Sequence, residues 1–192
     1  MKKILAIIIL NLCFIIPSQA DDVRDFQIEG ISIGDELKNH FSNNVLSKVT
    51  KYKFKSPKYI AYEIMKSDVK SGTINFYDNI IIAVNNSNII ESIGGMIFFP
   101  NNIKDCRLEQ SKVKSELQNL FKDYKWNTYK KKHNGDPTRK SIVYGEDITI
   151  DNKYRVIVQC FEWKNKDLGF TDNLRVNLRT LEYSNFLAYE AY

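Results

Sequence analysis

Glu146, Asp147 and Asp151 crowd the stretch YGEDITID, and carboxylates so grouped can act as a general acid and base or as oxygen ligands for calcium. Strand alternation sends Glu146 and Asp147 to opposite faces, however, and the ligand spacing of a calcium loop is absent. The reading expected from sequence is a solvated turn. GDPTRKS, residues 135–141, ends like a phosphate loop but carries one glycine, so no phosphate site is expected there. Neither G-x-S-x-G nor H-E-x-x-H occurs, and His40 and His133 with so few cysteines do not make a zinc site. No catalytic residue, metal ligand set or cofactor is assigned.

IEGISIGDEL, residues 28–37, sets Gly30 and Gly34 around Ile31 and Ile33. A phosphate cradle would need a lysine or clustered amides facing the anion, and Asp35 and Glu36 stand there instead. The segment is expected to be structural: the isoleucines enter the core, Gly34 turns the chain, and the acids complement a helix start.

Two stretches have the composition of a binding surface. In KWNTYKKKHNGDPTRK, residues 125–140, Trp126 and Tyr129 interleave with Lys130, Lys131, Lys132 and Arg139. A loop of this kind can stack on sugars or bases and attract anionic polymers or lipid headgroups. The other stretch is the last strand pair. If Val156, Val158, Leu174, Val176 and Leu178 face the core, then Gln159, Phe161, Trp163, Arg175, Asn177 and Arg179 form an arginine and aromatic ladder on the opposite face. A C-terminal helix bearing Phe186, Leu187 and Tyr189 is the element able to cover that ladder.

The elements that position these residues follow from periodicity. Leu37, Phe41, Val45, Leu46 and Val49 predict one broken helix or two short ones, interrupted at Asn43-Asn44. Strands are predicted over 59–65, 73–84 and 89–99, with a turn at 85–88. Ile103, Cys106, Val113, Leu117, Leu120, Phe121 and Tyr124 form the stripe of a long helix over 103–124, capped by Asn102. Strands over 141–150, 153–163 and 173–181 and a short helix over 183–191 complete the chain. The fold class is α+β: an antiparallel sheet of about six strands with helices on one face, in the order α-βββ-α-βββ-α, a degenerate tandem of one helix-plus-meander unit. An outer-membrane barrel fits poorly with the long amphipathic helix.

The first twenty residues have a basic start at Lys2 and Lys3, an apolar run over 4–16 and the small-x-small end Ser18-Gln19-Ala20. That is the pattern of a secretory signal peptide, with a mature single domain over 21–192 and no later transmembrane segment. Cys13 follows Leu12, where a lipobox needs a small residue. Removing Lys2 and Lys3 from 28 basic residues against 23 acidic ones lowers the formal charge from +5 to +3, too mild to argue for specific nucleic-acid binding. In an oxidising compartment the remaining Cys106 and Cys160 are expected to pair, stapling the long helix to the sheet.

DFQIEGISIGDELKNHFS, residues 25–42, resembles the start of a group of uncharacterised exported proteins from streamlined marine alphaproteobacteria. NNIKDCRLEQ, KSIVYGEDITI and TDNLRVNL continue the likeness. More distantly, GISIGDELKNHF followed by SPKYIAYEI is similar in layout to the helix-then-strands envelope modules of outer-membrane assembly lipoproteins and lactamase-inhibitor-like proteins, without their lipobox or Gly-x-Pro. The resemblance implies export and fold; it carries no catalytic residue. The functional expectation is a periplasmic or secreted binding module whose partner is an envelope protein, a glycan or an anionic surface. The alternative is a hydrolase whose carboxylates meet only in the fold.

Overall fold

Eight antiparallel strands, the inner ones rich in β-branched residues, form the chain's sheet in a computed structural model that describes Val23 and residues 26–192. The expected signal segment lies outside the described residues. The strands are β1 (Thr50–Lys53), β2 (Tyr59–Met65), β3 (Asn79–Asn85), β4 (Ile90–Phe98), β5 (Asn127–Lys132), β6 (Ile142–Ile150), β7 (Tyr154–Glu162) and β8 (Asn173–Thr180). They form one sheet in the order β1-β2-β3-β4-β8-β7-β6-β5. Two four-stranded meanders thus meet along β4 and β8, each preceded by a helix: α1 (Asn43–Lys48) and α2 (Ile103–Leu120). A third helix, α3 (Leu181–Tyr189), follows β8.

The tandem expected from sequence is therefore present with four strands per unit, where three were expected. The two extra strands, β1 (TKYK) and β5 (NTYKKK), are the sheet edges, almost wholly exposed and rich in lysine. Edge strands of that kind have no apolar face to read, and their charges discourage pairing with another chain. The strand expected over 73–84 begins only at Asn79. Upstream, the Glu29 carboxylate accepts the backbone N–H groups of Asn75, Phe76 and Tyr77, which are then unavailable to a ladder.

The helix ends also differ from expectation. Asn43-Asn44 opens α1, with Ser42 Oγ accepting the Val45 N–H, and the break lies just before it. Asn102 caps α2 as expected by accepting the Asp105 N–H at 3.2 Å, but the helix stops at Leu120. In the IEGISIGDEL segment Ile31 and Ile33 are buried and Gly34 turns the chain at φ 90°, a conformation a side chain would strain. Asp35 does not serve a helix start: its carboxylate accepts the Ser32 N–H and meets His40 Nε2, both at 2.9 Å.

One sheet face carries the main core. Ile80, Ile82, Ile93, Val156, Val158, Leu174 and Leu178 pack there beneath α1, α2 and the chain around Ile28 to Phe41. Cys106 of α2 is bonded to Cys160 of β7, with Cα atoms 6.0 Å apart and both side chains fully buried. One turn further along, the buried Gln110 amide donates to the carbonyl oxygens of Tyr144 and Val158 at 3.0 and 2.9 Å. Its own oxygen accepts from Arg107 Nη1 at 2.8 Å. Helix and sheet are thus joined by a covalent bond and a satisfied polar contact inside an apolar interface.

The expectation that all helices share one face does not hold for α3. Thr180 Oγ1 caps it at the end of β8, and it turns onto the opposite face. There Tyr183 and Phe186 pack against Tyr59, Ala61 and Ala83. A second buried cluster on that face, Val143, Phe161 and Trp163, packs with Tyr129 and Leu168, and the strip between the two clusters stays open.

Candidate functional site

The β8 register decides which side chains reach the open face. Arg175 lies opposite Met96 and Gln159, and Arg179 opposite Ser92 and Arg155, while Leu174, Val176 and Leu178 point into the core. Two overlapping cavities, about 800 and 780 Å³, occupy this face and share Arg175, Asn177 and Arg179. Leu187 and Tyr192, at the C-terminal end, wall the cleft on one side; His133, Trp163 and Phe170 wall the first cavity on the other. The first cavity is partly apolar, with Phe54, Ile81 and Met96; the second is polar, with Asn127, Asp147, Arg155 and Gln159.

Charge in the cleft is unbalanced. Lys53, Lys131, Arg155, Arg175 and Arg179 line it against the carboxylates of Glu63 and Asp147. Both acids are engaged: Asp147 accepts from Arg155 Nη2 at 2.6 Å, and Glu63 accepts from the Tyr52 hydroxyl and from Asn79 Nδ2. Burial and the Glu63 contact push the Tyr52 phenol up to about 12. Arg175 is held by its Nε donating to Asn173 Oδ1 at 2.9 Å, with the guanidinium 4.3 Å from the Phe161 ring centre. Arg179 has a buried Nε with no hydrogen-bond partner among the described residues. Burial pushes both guanidiniums down from their ordinary range, the charge of Arg155 adding to the effect at Arg179. An arginine nonetheless remains a cation in a protein. Neither is in an ion pair among the described residues.

Aromatic groups fix the rest of the wall. The Tyr129 ring lies across Gly145, so close that a Cβ there would come within 2.1 Å of it, and its hydroxyl accepts from Gln159 Nε2 at 2.7 Å. Only glycine permits that approach. His133 sits 4.4 Å from the Trp163 ring centre, and its Nδ1 accepts the Gly135 N–H. Burial and then the Arg175 charge lower the His133 pKa, so this imidazole is neutral near neutral pH.

The structure separates the residues singled out from sequence. Tyr129, Lys131, Trp163, Arg175 and Arg179 line the cleft, with Phe161 beneath Arg175. Trp126, Lys130, Lys132 and Arg139 do not. The lysine-rich part of the expected basic loop is strand β5, whose alternation puts Tyr129 and Lys131 on the cleft side and Lys130 and Lys132 on the α2 side. Lys130 there lies 5.3 Å from the Tyr144 ring centre, Trp126 packs against the main core, and Arg139 is exposed in the loop after β5. Glu146 and Asp147 face opposite ways as expected, but they are buried and paired, not solvated: Glu146 meets Lys114 Nζ at 2.8 Å on the α2 side. Cleft residues without a local signal, such as Tyr52, Glu63 and Tyr192, come together only through the topology. Among the described residues no group of three or more His, Cys, Asp or Glu side chains could hold a metal ion.

The wall is anchored by Asp136. Its carboxylate accepts the N–H groups of Thr138 and Ser141, the Thr138 hydroxyl, and Asn165 Nδ2 at 3.1 Å, which ties the 133–141 loop to the loop after β7. Burial alone would raise this carboxyl, but the hydrogen bonds from Ser141, Thr138 and Asn165 outweigh it and hold it well below the usual range. Its contribution to stability is present above the unfolded value near ~3.9 and is lost as pH falls toward the folded one. Asp136→Asn should therefore lower Tm at neutral pH and flatten the decline of Tm between about pH 5 and pH 2. Equal slopes for variant and wild type in thermal melts across that range would remove Asp136 from this role.

Compared with protein-family models, curated proteins and solved structures, the chain matches none.

Proposed function

We propose that the protein is an exported binding module, acting in the periplasm or outside the cell, and that the cleft on the open sheet face is where it binds. The observation that carries this reading is the pair Arg175 and Arg179, held in a walled cleft with no carboxylate of the described residues paired to either. A half-buried cation without a counterion costs stability. Two of them kept on one strand face make sense as contacts reserved for an anionic ligand. Export is supported by the basic, apolar and small-residue pattern of the first twenty residues, by the disulfide, and by the resemblance to exported proteins. No described helix is long and apolar enough to cross a membrane.

The alternative, a hydrolase with a carboxylate pair, is less well supported. Glu63 and Asp147 line separate cavities and are both engaged by neighbours. The test is retention from an envelope extract by immobilised protein, read by mass spectrometry of everything retained. Arg175→Gln/Arg179→Gln should lose the bound species, while Lys130→Gln/Lys132→Gln, an equal change of charge on the other face, should keep it. Retention by both variants, or loss by both, would move the site away from the cleft.

A further inference from the structure

The two cavities differ in character, and the arginines stand where they meet. Phe54, Met96 and Phe98 line only the first, Asn127, Asp147 and Gln159 only the second, and Ile81 and Leu187 belong to both. Arg175 and Arg179 belong to both. Resting on the binding-cleft reading, we infer that the ligand is an amphipathic anion: a carboxylate or phosphate head met by Arg175 and Arg179, on an apolar body lying in the half beneath α3.

Three observations converge on that class. First, the free donors are guanidinium groups, which fit carboxylate and phosphate oxygens and hold them in fixed geometry. Arg175 is preset by Asn173 and Phe161, and Arg179 presents a buried Nε with no partner among the described residues. Second, the half beyond the arginines toward β2 and α3 is walled by apolar and aromatic side chains; its one carboxylate, Glu63, is already satisfied. A bare inorganic anion would leave that half unused. Third, about 800 Å³ matches the clefts that enclose small molecules. An extended acidic peptide fits less well. The floor strands β2, β3, β4, β8 and β7 are each paired on both sides, so the floor between the edge strands β1 and β5 offers no backbone to add a strand.

The experiment is a titration of the purified exported protein with dodecyl phosphate and dodecanoate below their micelle concentrations, alongside dodecanol, inorganic phosphate and an acidic peptide. Trp163, in the cleft wall, reports by fluorescence, and calorimetry confirms the stoichiometry. One or both amphiphilic anions should bind at one per chain, at least tenfold more tightly than dodecanol or inorganic phosphate. Arg179→Gln should weaken them at least tenfold, and Arg179→Lys, which keeps the charge, by less. If Arg179→Gln does not fold, the comparison of head and chain on wild type and Arg179→Lys decides alone. Equal binding of inorganic phosphate, or binding of the peptide in place of the amphiphiles, would overturn the amphiphile and leave the cleft standing. Amphiphile binding unaffected by a folded Arg179→Gln would overturn the inference as well. If the amphiphiles fail here and the extract experiment also finds nothing that depends on Arg175 and Arg179, the cleft reading falls with the inference.

Discussion

Replacing Cys106 and Cys160 together by alanine should lower the unfolding free energy by about 4 kcal/mol. The bond joins residues 54 apart in sequence, and in the chain-entropy account a loop of that length costs the unfolded chain about this much freedom. For a domain of this size the loss corresponds to a fall in Tm of roughly 10 °C. The location of the bond makes the effect global. It fixes α2 to β7, an interior strand, and the adjacent Gln110 contacts to the Tyr144 and Val158 carbonyls depend on the helix staying in that register. Both sulfurs are fully buried, so a thiol reductant should act only after the protein opens. The check is thermal unfolding of the double variant beside wild type, with thiols counted by alkylation after reductant in native buffer and again in denaturant. Two thiols titrating in native buffer, with an unchanged Tm, would show that the bond is peripheral to stability.

That bond was legible in the sequence because two independent patterns met at it. The helical stripe put Cys106 on the apolar face, and alternation put Cys160 with Val156 and Val158. The same alternation correctly sent Arg175, Asn177 and Arg179 away from the core, since a central strand has one apolar face to read. It failed at the edges. TKYK and NTYKKK have no buried face, so nothing local distinguishes them from loops, and the expected fold lacked one strand in each unit. The basic stretch was read as one surface for the same reason: without knowing it was strand β5, nothing split Tyr129 and Lys131 from Lys130 and Lys132. The cleft itself was not legible. Its walls come from α3, Tyr192 and the loops after β5 and β7, which are far apart in sequence and are brought together by the pairing of β4 with β8.

Arg179→Met should make the unliganded protein more stable, by about 1–4 kcal/mol, while weakening ligand binding. Methionine keeps much of the apolar stem and removes a cation whose Nε is buried without a partner among the described residues. It also relieves a like-charge contact, because Arg155 and Arg179 lie directly opposite each other in the β7–β8 pair and only Arg155 has Asp147 to answer it. Residues retained for binding commonly cost stability in this way, whereas a structural arginine would do the reverse. The order should invert with ligand. At about a hundred times its dissociation constant, a ligand that binds only the folded wild type adds roughly 2.7 kcal/mol, enough to offset most or all of the advantage of the variant. Urea unfolding of both proteins with and without dodecyl phosphate measures all four states. A variant that loses more than about 1 kcal/mol without ligand would mean that Arg179 holds the sheet together. A variant that gains stability but responds to ligand as wild type does would place the anion elsewhere, since the relief of strain at residue 179 would then be unconnected to what the cleft binds.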